Sequence, residues 1–150
     1  DYKSIALPAE LQGHSCFETF NVKSKINQHL KDLDYLKDKS EITDEIKDYI
    51  NRFEKELDVI ENKIHMTKNQ SRQDPLNYGI RINNRIAFLL ADSQRGDYPP
   101  TNQAVEFFAE ITEELNQQIQ ALNNLIEVNL PELNKMISNN KIEIFSMRNP

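Results

Sequence analysis

The run from Pro99 to Ile137 constrains the fold of this chain more than any other stretch. Pro99, Pro100 and Thr101 open it. Its apolar residues are Phe108, Ile111, Leu115, Ile119, Leu122, Ile126, Leu130, Leu133 and Ile137, separated by steps of three and four. That spacing places them on one face of a helix. The 3-4-4 rhythm returns every 11 residues, close to the natural helical period, so little left-handed supercoil is expected. Thr101 to Leu130 alone spans about 45 Å as a helix. A helix with one apolar stripe must bury that stripe against other elements.

The rest of the chain supplies more helices. Residues 1–15 carry Pro8 and Gly13 and no sustained period, and read as an extended lead-in. Phe17 to Val22 reads as a short extended piece. The first helix is expected from Ser24, as N-cap, to near Asp38. Its stripe is Ile26, Leu30 and Leu33, continued by Leu36 or Lys37. Lys39 to Ile42 make a turn. The second helix starts at Thr43, where Asp44 and Glu45 put negative charge in the positive first turn. Its stripe of Ile46, Ile50, Phe53, Leu57, Ile60 and Ile64 alternates steps of four and three. A short turn makes these two helices an antiparallel hairpin.

Thr67 to Gln73 is wholly polar and reads as a loop. Asp74 and Pro75 follow as cap and first residue of a third helix reaching about Ala91. It carries Leu76, Ile82, Ile86, Leu89 and Leu90. Gly79 falls inside it, at about 1 kcal/mol against Ala, which suggests a close approach by a neighbouring backbone. Asp92 to Tyr98 form the next turn. Pro131 interrupts the fourth helix. The apolar rhythm continues in register across it, which favours a kink. The rival reading is a fresh helix capped by Asn129, with Glu132 three residues later. The expected fold is all-α: an antiparallel four-helix bundle with a short third helix and a long, kinked fourth. The expected boundaries are a lead-in or linker over 1–22, the bundle over 23–138 and a tail over 139–150. An extended piece at Ile142 to Phe145 is expected in that tail.

Composition removes several function classes. A chain of 150 residues suits one domain, and folding at that size buries about 68–70% of the unfolded surface. With 3 glycines it lacks the turns of an all-β protein. A net charge of −6 opposes non-specific nucleic-acid binding, which needs cations against phosphates. No run of about 18 apolar residues exists to span a membrane. The sequence opens on Asp1 without Met, so the lack of a leader says nothing about compartment. The single Cys16 cannot form an intramolecular disulfide.

Chemistry-bearing patterns are weak. His14, Cys16 and His65 fall short of the ligands and spacing of a zinc site. A Cys16–His14 pair is not evidence of a nucleophile, because such pairs meet through the fold. Glu106, Glu110, Glu113 and Glu114 offer carboxylates, but nothing implies the cleft that glycoside hydrolysis needs. No catalytic residue, cofactor or metal is therefore assigned. Asn83 and Asn84 lie mid-helix, where Asn is disfavoured. With Leu76, Gly79, Ile86 and Leu90 inward, Asn83 is expected to face the core, hydrogen-bonded across the bundle to fix register. Tyr78 and Tyr98 flank the third helix and are expected to cap the core rather than stack a sugar.

Charge is unevenly placed. Residues 63–95 hold Lys63, Lys68, Arg72, Arg81, Arg85 and Arg95 against Asp74 and Asp92. From Gly96 to Asn134 there are seven acids and no Lys or Arg. Glu106, Glu110 and Glu113 form one repelling stripe. Counting outward from Gly96 sets Arg85 opposite about Glu106–Glu110 and Arg81 opposite about Ile111–Leu115. Both arginines are expected to pair with the acidic helix rather than hold phosphate.

The segment from Asp74 to Leu89, DPLNYGIRINNRIAFL, resembles a pattern near the C-terminus of large bacterial proteins with sialidase-type or sortilin-like repeat β-propellers. These are often described as glycosyl hydrolases. That pattern runs roughly Pro-Leu-Asn-Tyr-Pro-Ile-x-Leu-Asn-Asn-Lys-Leu. Gly96-Asp97, Pro100-Thr101 and Leu130-Pro131-Glu132-Leu133-Asn134 follow in matching order. Gly79 stands where the family has Pro. The resemblance covers residues 74–137, and 17–66 only as a helical hairpin. It implies the helical C-terminal module, not the propeller, whose Ser-x-Asp-x-Gly-x-Thr-Trp box is absent and which carries over no catalytic residue. The function expected is a non-catalytic accessory or docking module of a larger exported protein. Its partner would be an adjacent β-propeller domain or a second copy, and Phe17 and Phe20 of the lead-in would reach into the contact. The alternative is a free-standing helical adaptor.

Overall fold

A computed structural model describes residues 15–67, 78–95 and 100–140. The fold is an all-α bundle: α1 (Cys16–Lys37), α2 (Asp44–Ile64), α3 (Ile82–Ser93) and α4 (Asn102–Asn139) pack around one apolar core. The expected lead-in before Ser15, the polar loop beyond Thr67, the Asp74–Pro75 start of the third helix, Tyr98 and the tail beyond Asn140 lie outside the described residues, while Asn139 of the expected tail ends α4.

The two long stripes fold as their spacing dictates. Ile46, Ile50, Phe53, Leu57, Ile60 and Ile64 of α2 are all buried. In α4, Ile111, Leu115, Leu122, Ile126, Leu130, Leu133 and Ile137 are buried, and Phe108 and Ile119 pack against them half-buried. The Thr43 hydroxyl accepts from the Ile46 N–H at 3.4 Å, and the Thr101 hydroxyl from the Ala104 N–H at 3.2 Å. Each satisfies one otherwise orphaned helical donor.

Two contacts run α1 and α2 antiparallel. His65 Nε2, just past α2, lies 3.0 Å from the Thr19 carbonyl near the start of α1. A carbonyl only accepts, so Nε2 carries the proton. At the other end, Lys37 pairs with Glu54. The hairpin rests on the C-terminal half of α4, where Lys25 Nζ reaches Asn123 Oδ1 at 3.1 Å and Tyr49 Oη reaches Asn129 Oδ1 at 2.8 Å. The N-terminal half of α4 carries α3, tied by the Arg85–Glu114 pair.

Two expectations are corrected. The first helix starts at Cys16, not Ser24, so Phe17 to Val22 is helical. Its inward residues there are Thr19 and Val22; the Thr19 hydroxyl donates to the Cys16 carbonyl at 2.9 Å and so enters the core satisfied. The third helix starts at Ile82, leaving Gly79 outside it. Gly79 takes φ +79°, and nothing lies within 4 Å of where its Cβ would stand. Left-handed backbone, not a close neighbour, is what requires glycine there. As the in-register rhythm favoured, α4 runs unbroken through Pro131, and the rival reading of a fresh helix capped by Asn129 falls. The Asn129 amide instead donates to the Leu125 carbonyl at 2.9 Å. Proline deprives the Glu127 carbonyl of its intrahelical partner; both residues are on the exposed face, where the carbonyl is open to solvent.

Candidate interaction surface

The bundle leaves one helix unlike the rest. Ile82, Ile86 and Leu89 of α3 are buried against α4 and the hairpin. Its opposite face carries Asn84, Ala87, Phe88 and Ala91, all exposed. Phe88 is 67% exposed and Ile80, just before the helix, 66%. Arg85 and Asp92 are its only charged residues.

Ile80, Asn84, Arg85 and Phe88 join Phe107 of α4 to line an apolar groove of about 460 Å³. Arg85 forms one wall and is neutralised by Glu114. Phe107 and Glu114 lie on the same face of α4. Of the residues between them on that face, Ile111 is buried and Glu110 exposed. Glu110 therefore stands on the solvent edge of the groove. Glu106 and Glu113 lie one turn to either side, also exposed. Glu113 accepts from Gln117 Nε2 at 3.1 Å. Among the described residues the ion pairs are Arg85–Glu114 and Lys37–Glu54, so the Glu106, Glu110 and Glu113 stripe carries no cationic partner.

The other candidates fall elsewhere. Arg85 meets Glu114 rather than Glu106 or Glu110, so its expected register is corrected. Arg81 precedes α3 in extended backbone; its Nε is buried without a hydrogen-bond partner, and among the described residues it forms no ion pair with α4. Asn83 is half-buried, its Oδ1 has no partner, and among the described residues it makes no bond across the bundle. Tyr78 is 46% exposed and caps no core. Phe17 and Phe20 project outward from α1 at 58% and 68% exposure.

No three metal-binding side chains converge among the described residues. His65 is held by Thr19, and burial pushes the half-buried Cys16 thiol above its usual range, away from the thiolate form. No described helix is long and apolar enough to cross a membrane. A second concavity, along Glu45, Asp48, Asn51, Arg52 and Lys55 of α2, is a mixed-charge solvent face.

Sequence reasoning passed over Ile80, Phe88 and Phe107, and took Asn84 only as a disfavoured mid-helix residue. Part of the signal was present: Asn84 and Phe88 lie four residues apart on a face distinct from Ile82, Ile86 and Leu89, but Ile80 precedes the helix and escapes its period. No known protein family, no curated protein and no solved structure matches the chain.

Proposed function

We propose that this chain is a non-catalytic docking module that seats a partner in the groove between α3 and α4. The observation that carries the reading is the outward apolar face of α3, centred on Phe88. A continuous exposed apolar surface costs solubility and marks an interaction site on a soluble protein. The resemblance of residues 74–137 gives the partner a concrete form: a β-propeller domain of the same exported polypeptide, with this bundle as its accessory C-terminal part.

The test separates docking from packing. Phe88→Ser changes a side chain that makes little of the core, so stability should move within about 0.5 kcal/mol. Binding of an environment-sensitive apolar dye to the groove should be lost. A large loss of stability with unchanged dye binding overturns the docking role. Turnover of chromogenic glycosides that disappears in Glu110→Gln or Glu113→Gln overturns the non-catalytic reading.

A further inference from the structure

We infer that the occupant of the α3–α4 groove is a cationic amphipathic helix; this rests on the docking reading above and names its partner's chemistry. The floor is apolar, from Ile80, Phe88 and Phe107. Among the described residues the one cation lining it is Arg85, which is already paired with Glu114. Glu110 stands one turn along α4 from Phe107, with Glu106 and Glu113 further round the same exposed stripe, and among the described residues the three have no cationic partner. From Gly96 to Asn134 no Lys or Arg offsets them. An occupant that buries apolar groups on this floor lays its flank against three carboxylates. An acidic flank is repelled and a basic one attracted.

Geometry selects the form of the occupant. Strand addition needs a free sheet edge, and the described residues contain no strand. Two packed helices offer a groove for a third. The 12 residues of α3 span about 18 Å, the length of a three-turn helix. Apolar anchors at i, i+3 or i+4, and i+7 would meet the groove floor, with Lys or Arg along the edge facing Glu106, Glu110 and Glu113. The same acidic edge disfavours nucleic acid and anionic lipid surfaces.

The experiment uses the full chain and two synthetic amphipathic helical peptides with identical apolar faces. One has a lysine edge and the other a glutamate edge, and binding is read by fluorescence anisotropy. At low salt the lysine peptide should bind about 10-fold tighter or more, and the gap should narrow at high salt. Combined Glu106→Gln, Glu110→Gln and Glu113→Gln should remove that preference with the circular dichroism spectrum unchanged. Phe88→Ser should weaken both peptides. Equal binding of the two peptides, or a preference untouched by the triple substitution, overturns the cationic occupant and leaves the groove standing. Binding untouched by Phe88→Ser overturns the groove itself. Self-association abolished by Phe88→Ser, with neither peptide competing, assigns the groove to a second copy and overturns the inference.

Discussion

The Tyr49 hydroxyl donates to Asn129 Oδ1 across 2.8 Å, and the same Asn129 amide donates to the Leu125 carbonyl. One side chain thereby ties α2 to α4 two residues before Pro131. Tyr49→Phe should cost about 0.5–1.5 kcal/mol in urea unfolding, the net worth of one hydrogen bond. Asn129→Ala should cost at least as much, and the double variant should cost less than the sum. Additive losses would show that the two side chains do not act together.

Phe53 sits at the centre of the hairpin with 1% of its surface exposed. Phe53→Ala should destabilise the bundle by about 3–5 kcal/mol through lost transfer energy and the cavity left behind. A change below about 1 kcal/mol would remove it from the core.

Gly79 holds φ +79° with open space around it. Gly79→Ala should still cost about 1 kcal/mol, because a Cβ disfavours that backbone region without meeting any neighbour. A neutral or stabilising result in a thermal melt would mean the turn relaxes to another conformation.

His29 is buried on α1, and its Nδ1 has no hydrogen-bond partner. Burial, aided by Lys25 and opposed by Asp32, lowers its pKa below the ordinary 6.5. The sign follows from linkage. Above 6.5 the imidazole is neutral in both states and the fold keeps its full stability. As pH falls below that value, the unfolded chain takes up the proton first and stability declines, until the pH reaches the lowered folded value. The melting temperature should therefore drop as the pH falls below about 6.5. His29→Leu should flatten that drop. An equal slope in the variant would assign the pH dependence to other groups.

How far the sequence was legible can be read residue by residue. The α2 stripe and the α4 stripe were readable because each is apolar on one face and polar elsewhere. The start of α1 was not, because its apolar bulk lies on the wrong side: Phe17 and Phe20 face water while Thr19 faces inward. A hydroxyl that bonds its own helix can occupy a core position, and periodicity of apolar residues alone does not see it. The third helix was misjudged at Gly79, whose left-handed φ ends one segment before Ile82 begins another. The Arg85 partner was missed because counting outward from Gly96 assumes a symmetric turn. The groove was hidden for a different reason. Its residues belong to two helices, and only packing brings Phe88 beside Phe107.

The α4 spine has a hydrodynamic consequence. Its 38 residues extend about 57 Å end to end. A compact sphere-like chain of 150 residues has a radius of gyration of about 15 Å, and so a diameter near 40 Å. The protein is thus longer than its mass implies. The described bundle is therefore expected to tumble anisotropically, with slower rotation of the α4 axis than rotation about it. Amide groups along α4 point nearly parallel to that axis, so their nuclear spins relax at the slow rate and report the elongation directly.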